Sequence, residues 1–308
     1  MGVERDPGQM TASVSPLRTH SSTSVAQKVA LYEPDSSSTM SAAYGPGPTS
    51  PTLGNVPTEN LASVSTGGGR RRVTLLHGFT QSARCWGPFA ETLESTCSVT
   101  AVDLPGHGAS GDVRADLPTT AALVADRIEP SVVIGYSLGG RVALHLALAR
   151  PDLVERLVLV STTAGIDDAD ERDRRRADDD RLADHIEEIG VDAFLDAWLA
   201  QPLFAGLTPE AALVDCRRNN TASGLASSLR LCGTGTQEPL WDRLTTIAMP
   251  VLVVVGERDD KFRILGDRLA TSIGSNAAVT VIADTGHSTP LERPDATAAA
   301  ILDWLDPV

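Results

Sequence analysis

Residues Gly135-Tyr136-Ser137-Leu138-Gly139 decide the fold that this sequence predicts. The apolar run Val132-Val133-Ile134 precedes this pentapeptide, and a helix-like run over residues 141–149 follows it. A serine between two glycines at a strand-to-helix junction is typical of a sharp turn that exposes the hydroxyl above the end of a strand. The N-terminus of the next helix then directs its dipole and free N–H groups at the same place. The pattern predicts a serine nucleophile, and the alternative is a glycine-rich loop with a solvated serine.

Short β-rich runs alternate with amphipathic helical patterns from residue 70 onward. Near-continuous Val/Ile/Leu runs separated by helices indicate a parallel sheet that is covered on both faces. We therefore expect an α/β fold with a mostly parallel central sheet and helices on both faces. The predicted strands are Val73–Leu76, Val99–Asp103, Val132–Ile134, Leu157–Val160, Val251–Val255 and Val279–Ile282. The predicted helices cover residues 83–94, 119–126, 141–149, 263–272 and 294–305.

Two segments fall outside this alternation. Residues 1–69 are rich in Ser, Thr, Pro and Gly and poor in large apolar side chains, so we expect a disordered tail. A transit peptide fits this tail less well, because acidic residues interrupt it and Arg is sparse. Residues 166–245 are charged and helical in pattern, and we expect them to form a cap inserted over the carboxyl ends of the strands. Residues 70–308 would then be one domain that includes this cap.

An acid and a histidine follow the serine where two further strands end. Asp259 lies just beyond the fifth predicted strand, and His287 lies just beyond the sixth. Serine, acid and histidine in this chain order, each on a loop after a strand, are typical of the α/β-hydrolase fold. The serine needs a neutral imidazole to accept its proton and a carboxylate to hold the imidazole's tautomer. The sequence predicts a catalytic triad of Ser137, His287 and Asp259, with Asp260 as the alternative acid.

The turn after the first predicted strand, His77-Gly78-Phe79, is the second element of such a site. In this fold the turn supplies one backbone N–H group to an oxyanion hole, and the residue after the serine supplies the other. We therefore expect the N–H groups of Phe79 and Leu138 to form the hole. His77, and His107 in the turn over residues 103–108, are expected to brace their loops rather than to act as bases.

Composition excludes several classes of protein. The chain has 308 residues, of which 42% are hydrophobic, so it can bury a substantial core. A formal net charge of −14 argues against binding to nucleic acid or to an anionic membrane surface. No stretch approaches the length of a membrane-spanning helix and no secretory signal is evident, so we expect a cytoplasmic protein. The cysteines lack metal-ligand spacing, so we expect no metal site and four reduced thiols, at Cys85, Cys97, Cys216 and Cys232.

Several longer motifs resemble one family in particular, the 2-succinyl-6-hydroxy-2,4-cyclohexadiene-1-carboxylate (SHCHC) synthases of the menaquinone pathway. The discriminating motifs are Gly-Tyr-Ser-Leu-Gly-Gly-Arg at 135–141, Gln-Pro-Leu-Phe at 201–204 and Gly-Glu-Arg-Asp-Asp-Lys-Phe at 256–262. The Arg172–Arg176 run and Arg217-Arg218-Asn219-Asn220 also resemble that family's cap motifs. The His-Gly-Phe and Asp-Leu-Pro-Gly-His-Gly turns weigh little, because many α/β-hydrolases carry them. The resemblance covers residues 72–305 and leaves the N-terminal tail unexplained.

The resemblance implies an α/β-hydrolase fold with a cap and a lyase reaction without a cofactor. Its substrate would be 2-succinyl-5-enolpyruvyl-6-hydroxy-3-cyclohexene-1-carboxylate, which loses pyruvate in a 2,5-elimination. No water is added in that reaction, so the triad would abstract a proton instead of forming an acyl-enzyme. Ser137, primed by His287 and Asp259, would remove the ring proton next to the succinyl carbonyl. Phe79 and Leu138 would stabilise the enolate-like oxygen.

A substrate with three carboxylates requires cations in the pocket, preferably arginines with their bidentate forks. Arg141 lies one helical turn beyond Ser137 and can face the same cleft. Matching to the family's motifs adds Arg175, with Arg172 as the alternative, and Arg217, with Arg218 as the alternative. Tyr136 would contribute a hydroxyl or ring edge beside the serine, and Trp198 an apolar wall. Lys261 would place a cation near the acid loop.

Two further functions stay open on the sequence. The same triad could serve a carboxylic-ester or carbon–carbon-bond hydrolase, although a neutral ester pocket has no use for three arginines. A non-catalytic α/β-hydrolase that binds a small molecule is the third possibility, and the intact triad order disfavours it. The partner we expect is a small polycarboxylate substrate, and the sequence favours neither a monomer nor a homo-oligomer.

Overall fold

All six predicted strands form in the computed structural model, which describes residues 1–2 and 60–306 of the chain. The strands are β1 (Ser63–Gly67), β2 (Arg71–Leu76), β3 (Cys97–Val102), β4 (Ser131–Tyr136), β5 (Val154–Val160), β6 (Val251–Gly256) and β7 (Ala277–Ile282). The helices are α1 (Pro88–Glu94), α2 (Leu117–Ala125), α3 (Leu138–Ala149), α4 (Ala169–Leu199), α5 (Val214–Arg217), α6 (Ala222–Cys232), α7 (Asp260–Ile273), α8 (Thr289–Glu292) and α9 (Pro294–Leu305). Short 3₁₀ turns occur at Gly108–Ser110, Pro151–Leu153, Pro202–Phe204 and Trp241–Thr246.

The strands form one sheet in the order β1-β3-β2-β4-β5-β6-β7. β1 runs antiparallel to β3, and every other neighbouring pair is parallel. Successive residues of a strand point to opposite faces, so Val133 and Ile134 of β4 enter different cores. Val133 packs on the face that carries α2, α3 and α7, and Ile134 packs on the face that carries α1 and α9. Burial on both faces explains why β4 is apolar without alternation.

The predicted tail extends too far towards the C-terminus. Its residues 3–59 lie outside the described part of the chain, but residues 63–67 form β1. The strand is polar and has no apolar alternation, so its own side chains give no strand signal. Backbone pairing with β3 stabilises it, and the Ser65 and Thr100 hydroxyls meet across that pair at 3.1 Å. Leu61, just before the strand, is buried in the core.

Residues 161–250, between β5 and β6, form a helical insertion. Its longest helix, α4, is broken at Gly190, where φ is 78° and ψ is 171°. Arg230 of α6 ties the first part of α4 to α6 through Asp184 and Glu187, at 2.6 and 2.8 Å. The insertion has an apolar cluster of its own, against which Phe79 packs from the turn after β2. It therefore lies against a loop at the carboxyl end of the sheet.

Two cysteines correct the expectation of four reduced thiols. Cys85 and Cys216 form a disulfide across 131 residues of sequence, with their Cα atoms 5.8 Å apart. The bond joins the segment between β2 and α1 to α5 of the insertion. Such a pairing depends on tertiary contact, which cysteine spacing does not reveal. Cys97 and Cys232 are free and buried, and burial raises the pKa of the Cys232 thiol to about 11.

Each helix of the described residues is too short or too polar to cross a membrane.

Candidate active site

The turn between β4 and α3 presents Ser137 in a strained conformation. Its φ is 51° and its ψ is −107°, a left-handed region that side-chain-bearing residues rarely occupy. The flanking glycines are required by close packing. A Cβ on Gly135 would lie 2.4 Å from the carbonyl oxygen of Gly139, and a Cβ on Gly139 would lie 1.9 Å from that of Leu76. The glycine spacing in the sequence therefore follows from the sharpness of this turn.

Ser137, His287 and Asp259 form one hydrogen-bonded chain. The Nε2 atom of His287 is 3.3 Å from the Ser137 hydroxyl, and its Nδ1 atom is 2.9 Å from a carboxylate oxygen of Asp259. The other oxygen of Asp259 accepts the Phe262 N–H at 3.2 Å, which orients the carboxylate. The alternative acid, Asp260, is 92% exposed and pairs with an arginine of its own helix. The structure thus brings together the three residues predicted as a triad.

His77 and His107 brace the neighbouring turns, as the sequence predicts. Nε2 of His77 accepts the Leu104 N–H at 3.0 Å, and Nδ1 lies 2.9 Å from the Gly78 carbonyl oxygen. Nε2 of His107 accepts the Thr80 N–H at 3.3 Å. Burial is the main cause that lowers the pKa of His77 to about 4 and that of His107 to about 3. Both rings are therefore neutral near pH 7, and their nitrogen atoms are hydrogen-bonded to backbone groups.

The two residues predicted for an oxyanion hole lie on adjoining turns. Leu138 is the first residue of α3, where N–H groups have no intrahelical acceptor. Phe79 follows β2, and α3 packs closely on this turn, because a Cβ on Gly139 would lie 2.8 Å from the carbonyl oxygen of His77. The Phe79 ring contacts the Trp198 ring edge-on at 5.4 Å, which helps to fix this backbone.

Arg141 and Arg175 both approach the loop that follows α6. Arg141 is 8% exposed and donates to the Cys232 carbonyl oxygen at 2.6 Å. Arg175 is 9% exposed and pairs with the fully buried Asp179 at 2.9 Å. Asp179 in turn accepts the N–H of Gly235 at 3.4 Å. Arg141 thus contacts the C-terminal end of α6, and Arg175 already has a carboxylate partner, which in turn binds the loop after that helix.

Arg217 is almost completely buried, in contrast to a residue at the surface of a cleft. Its side chain is 1% exposed, and it donates to the Ala212 carbonyl oxygen at 2.7 Å and to the Thr80 hydroxyl. Burial lowers its pKa to about 10, and among the described residues no carboxylate forms an ion pair with it. The alternative, Arg218, is exposed and pairs with Asp192 and Asp215. Burial therefore separates two arginines that are adjacent in sequence.

The remaining predicted contacts differ in their placement. The hydroxyl of Tyr136 is hydrogen-bonded to that of Ser288 at 2.7 Å, so it is engaged in the structure instead of open beside Ser137. Trp198 is buried among aromatic rings and contacts Phe79, as an apolar wall requires. Lys261 is exposed in the first turn of α7, with Nζ 5.8 Å from the centre of the Phe262 ring.

A cleft of about 250 Å³ opens on the histidine side of this site. One wall comes from the insertion and the other from the loops after β6 and β7. The rings of Phe262 and Phe204 lie 4.4 and 6.5 Å from that of His287 and give it an aromatic surrounding. The residues that line the cleft are Pro202, Leu203, Ala205, Gly206, Arg258, Asp259, Gly286 and His287.

Sequence reasoning did not identify the groups that join the insertion to the catalytic loops. The side-chain amide of Asn220 donates to the Thr80 carbonyl oxygen at 2.7 Å and accepts the Gly108 N–H at 2.8 Å. Thr162 donates its hydroxyl hydrogen to the carbonyl oxygen of Ser137 at 2.8 Å. The Arg-Arg-Asn-Asn motif contained the signal for Asn220, whereas nothing in the sequence marked Thr162.

Comparison with known proteins shows which family the chain belongs to. The alpha/beta hydrolase family model matches residues 75–300, which include the whole triad. A Salmonella newport (strain SL254) protein named 2-succinyl-6-hydroxy-2,4-cyclohexadiene-1-carboxylate synthase is 33% identical over 245 residues, or 77% of this chain and 93% of the relative. The chain belongs to this synthase family, within the alpha/beta hydrolases.

Solved structures agree with membership in the SHCHC synthase family. The structure of MenH from S. aureus superposes with a TM-score of 0.74 at 29% identity, covering 79% of this chain and 97% of that one. A thermophilic esterase from Thermogutta terrifontis superposes with a TM-score of 0.69 at 26% identity, covering 80% and 92%. The α/β-hydrolase fold predicted from the sequence is thereby confirmed, and so is the resemblance to the SHCHC synthases.

Proposed function

We propose that this protein is an SHCHC synthase, a lyase that eliminates pyruvate from 2-succinyl-5-enolpyruvyl-6-hydroxy-3-cyclohexene-1-carboxylate in menaquinone biosynthesis. The observation that carries the proposal is the hydrogen-bonded chain from Ser137 through His287 to a buried Asp259. Arg141, a buried cation, lies one helical turn beyond Ser137. The name of the Salmonella relative supports the same reaction. A proton-abstracting group beside fixed cations suits the removal of a proton from a polyanion.

The triad would act as a base in this reaction. Nε2 of His287 accepts the Ser137 proton while the serine oxygen removes the ring proton next to the succinyl carbonyl. The electron pair released at that carbon shifts through the ring double bond and breaks the bond to the enolpyruvyl oxygen. The leaving group takes up a proton from the His287 imidazolium and ketonises to pyruvate. Nothing is oxidised, no water is consumed, and the reaction requires no cofactor.

Charge on the succinyl oxygen rises as the proton leaves. The N–H groups of Phe79 and Leu138 would stabilise that oxygen, because fixed donors at the start of a helix favour developing negative charge. Removing one such donor from an enzyme typically costs about 10²–10³-fold in turnover.

Three carboxylates on the substrate require cations in a protein whose net charge is −14. Arg217 is the strongest candidate, because it is buried without a carboxylate partner among the described residues, and a bound carboxylate would supply one. Arg141, at the C-terminal end of α6, and Arg175, which pairs with Asp179, would bind the others. Trp198 would form an apolar wall, and Lys261 and Tyr136 would lie at the margin of the pocket.

The test is pyruvate release from substrate generated enzymatically in situ, followed in a coupled assay. We expect the wild-type protein to accelerate release well above the spontaneous rate. An unchanged rate would contradict the proposal. The esterase with a similar fold favours a carboxylic-ester hydrolase as the second candidate. Rapid turnover of simple aryl esters, with no effect on pyruvate release, would establish that candidate instead.

A further inference from the structure

The carboxylate of Glu292, in α8, holds the backbone on both sides of His287. One of its oxygens accepts the N–H of Gly286 at 2.7 Å, and the other accepts the N–H of Ser288 at 3.0 Å. Hydrogen bonds to a charged acceptor are roughly twice as strong as those between neutral groups. Because the two donors flank a single residue, the pair of bonds restricts both the position and the orientation of the His287 backbone.

Other hydrogen bonds hold this loop at Asp284, at Thr285 and through the Ser288 hydroxyl, whereas Glu292 holds the two N–H groups that flank His287. The loop leaves β7 through Asp284, whose φ is 58°, and its Thr285 hydroxyl is tied back to the carbonyl oxygen of Ile282 at 2.9 Å. His287 itself must keep one ring nitrogen on Ser137 and the other on Asp259. A displacement of about 1 Å at a reacting group can reduce rate by about 10²-fold. The precision of the triad therefore depends on how firmly this loop is held.

The insertion covers the carboxylate of Glu292 on its other side. A Cβ built on Gly206 would lie 1.9 Å from an oxygen of Glu292, so a larger residue at position 206 would have to displace that carboxylate. Within residues 60–306, no Lys or Arg side chain forms an ion pair with Glu292. Its polar partners are thus the two loop N–H groups, and Gly206 packs directly against the oxygen that accepts from Gly286.

We propose that Glu292 is a positioning residue that holds His287 in register with Ser137, and that the contact with Gly206 keeps its carboxylate in place. The inference rests on the triad of the proposed function. It does not depend on which substrate that triad serves, because any reaction that begins at Ser137 needs the same alignment.

A fluorophosphonate probe tests the inference, because its reaction with Ser137 requires His287 but not the native substrate. We expect Glu292→Gln to slow labelling of Ser137, followed by intact-protein mass spectrometry, by about tenfold or more. The amide keeps the shape of the side chain but presents an NH₂ group to one of the two loop donors. The matched control is Glu257→Gln, because Glu257 accepts the Asp284 N–H of the same loop at 2.9 Å on its exposed side. We expect the control to label within about twofold of wild type.

Two further readouts separate positioning from general stability. In proton NMR spectra, the downfield Nδ1 proton of His287 should be present in wild type and in Glu257→Gln, and lost or broadened in Glu292→Gln. Gly206→Ala changes no polar group, and its methyl should displace the carboxylate and slow labelling likewise. If Glu292→Gln proves unstable in a thermal melt, Gly206→Ala decides the matter by itself.

Labelling of a folded Glu292→Gln or Gly206→Ala protein at the wild-type rate would overturn the inference. A wild-type protein that does not react with the probe would also overturn it, because His287 would then activate no serine. Wild-type protein that is labelled rapidly but does not accelerate pyruvate release would contradict the proposed function alone. The comparison of Glu292→Gln with wild type would still be decisive in that case.

Discussion

The backbone at Ser137 shows how much of the site is determined by single residues. A left-handed conformation at a non-glycine residue costs about 1–3 kcal/mol and persists only where the surroundings impose it. Here the glycines on either side allow the backbone contacts that impose it. The glycines that these contacts require lie within five consecutive residues, so the sequence was sufficient to predict the elbow.

Arg217 shows the opposite case at the same scale. The sequence suggested that it contacts substrate, but its burial and its bond to Thr80 depend on how the insertion packs on the turn after β2. The same packing engages Asn220 with that turn and was equally hidden. Long-range contacts, and not residue type, decide which of the adjacent arginines becomes buried.

His145, one turn beyond Arg141, gives a prediction about pH. Burial and then the charges of Arg141 and Arg243 lower its pKa to about 4 in the folded protein, against 6.5 for the free side chain. Between these values the unfolded state binds more protons, so stability falls as pH drops through this window. His145→Leu should reduce the loss of unfolding free energy between pH 7 and pH 5 by about 2 kcal/mol.

Urea unfolding of both proteins at the two pH values measures this difference. The Nε2 atom of His145 has no hydrogen-bond partner among the described residues, so leucine at this position sacrifices no bond from that atom. Equal losses of stability in wild type and His145→Leu would show that His145 does not titrate on unfolding.

At the scale of elements, predictability follows the source of each element's stability. Strands β2 to β6 have apolar runs that the core explains, β7 is an apolar edge strand of which only Ile282 is fully buried, and each was predicted to within a few residues. Strand β1 gains its stability from pairing with β3, and its Ser and Thr side chains carry no core pattern. The break of α4 at Gly190 likewise follows from a single backbone conformation inside a long polar helical pattern.

The disulfide makes a prediction about how the insertion is attached to the sheet domain. Cross-linking two points that are 131 residues apart restricts the unfolded chain, and native disulfides typically contribute about 2–4 kcal/mol. Cys216→Ser should lower the unfolding free energy by about that amount. A reducing agent should lower the thermal midpoint of wild type but leave that of Cys216→Ser unchanged. An equal midpoint for wild type with and without reductant would contradict a stabilising cross-link.

For the whole molecule, the sequence predicted the fold, the order of the triad and the family, because each depends on local patterns in fixed chain order. It did not predict the disulfide, the hydrogen bond between Tyr136 and Ser288, or the restraint by Glu292, because these pair residues from distant segments or adjacent turns. All of them lie near the junction between the insertion and the loops at the carboxyl end of the sheet. The function proposed for that junction depends on the triad acting as a base.

The most direct test is the rate of pyruvate release by Ser137→Ala in the coupled assay with substrate made in situ. General-base catalysis typically contributes about 10²–10⁴-fold, so we predict that turnover falls by about 10³-fold. The matched control is Ser161→Ala, because the Ser161 hydroxyl is buried at the end of β5 without a hydrogen-bond partner among the described residues. Its turnover should stay within about twofold of wild type. Near-native pyruvate release by Ser137→Ala would contradict the role of the serine as the proton-abstracting group.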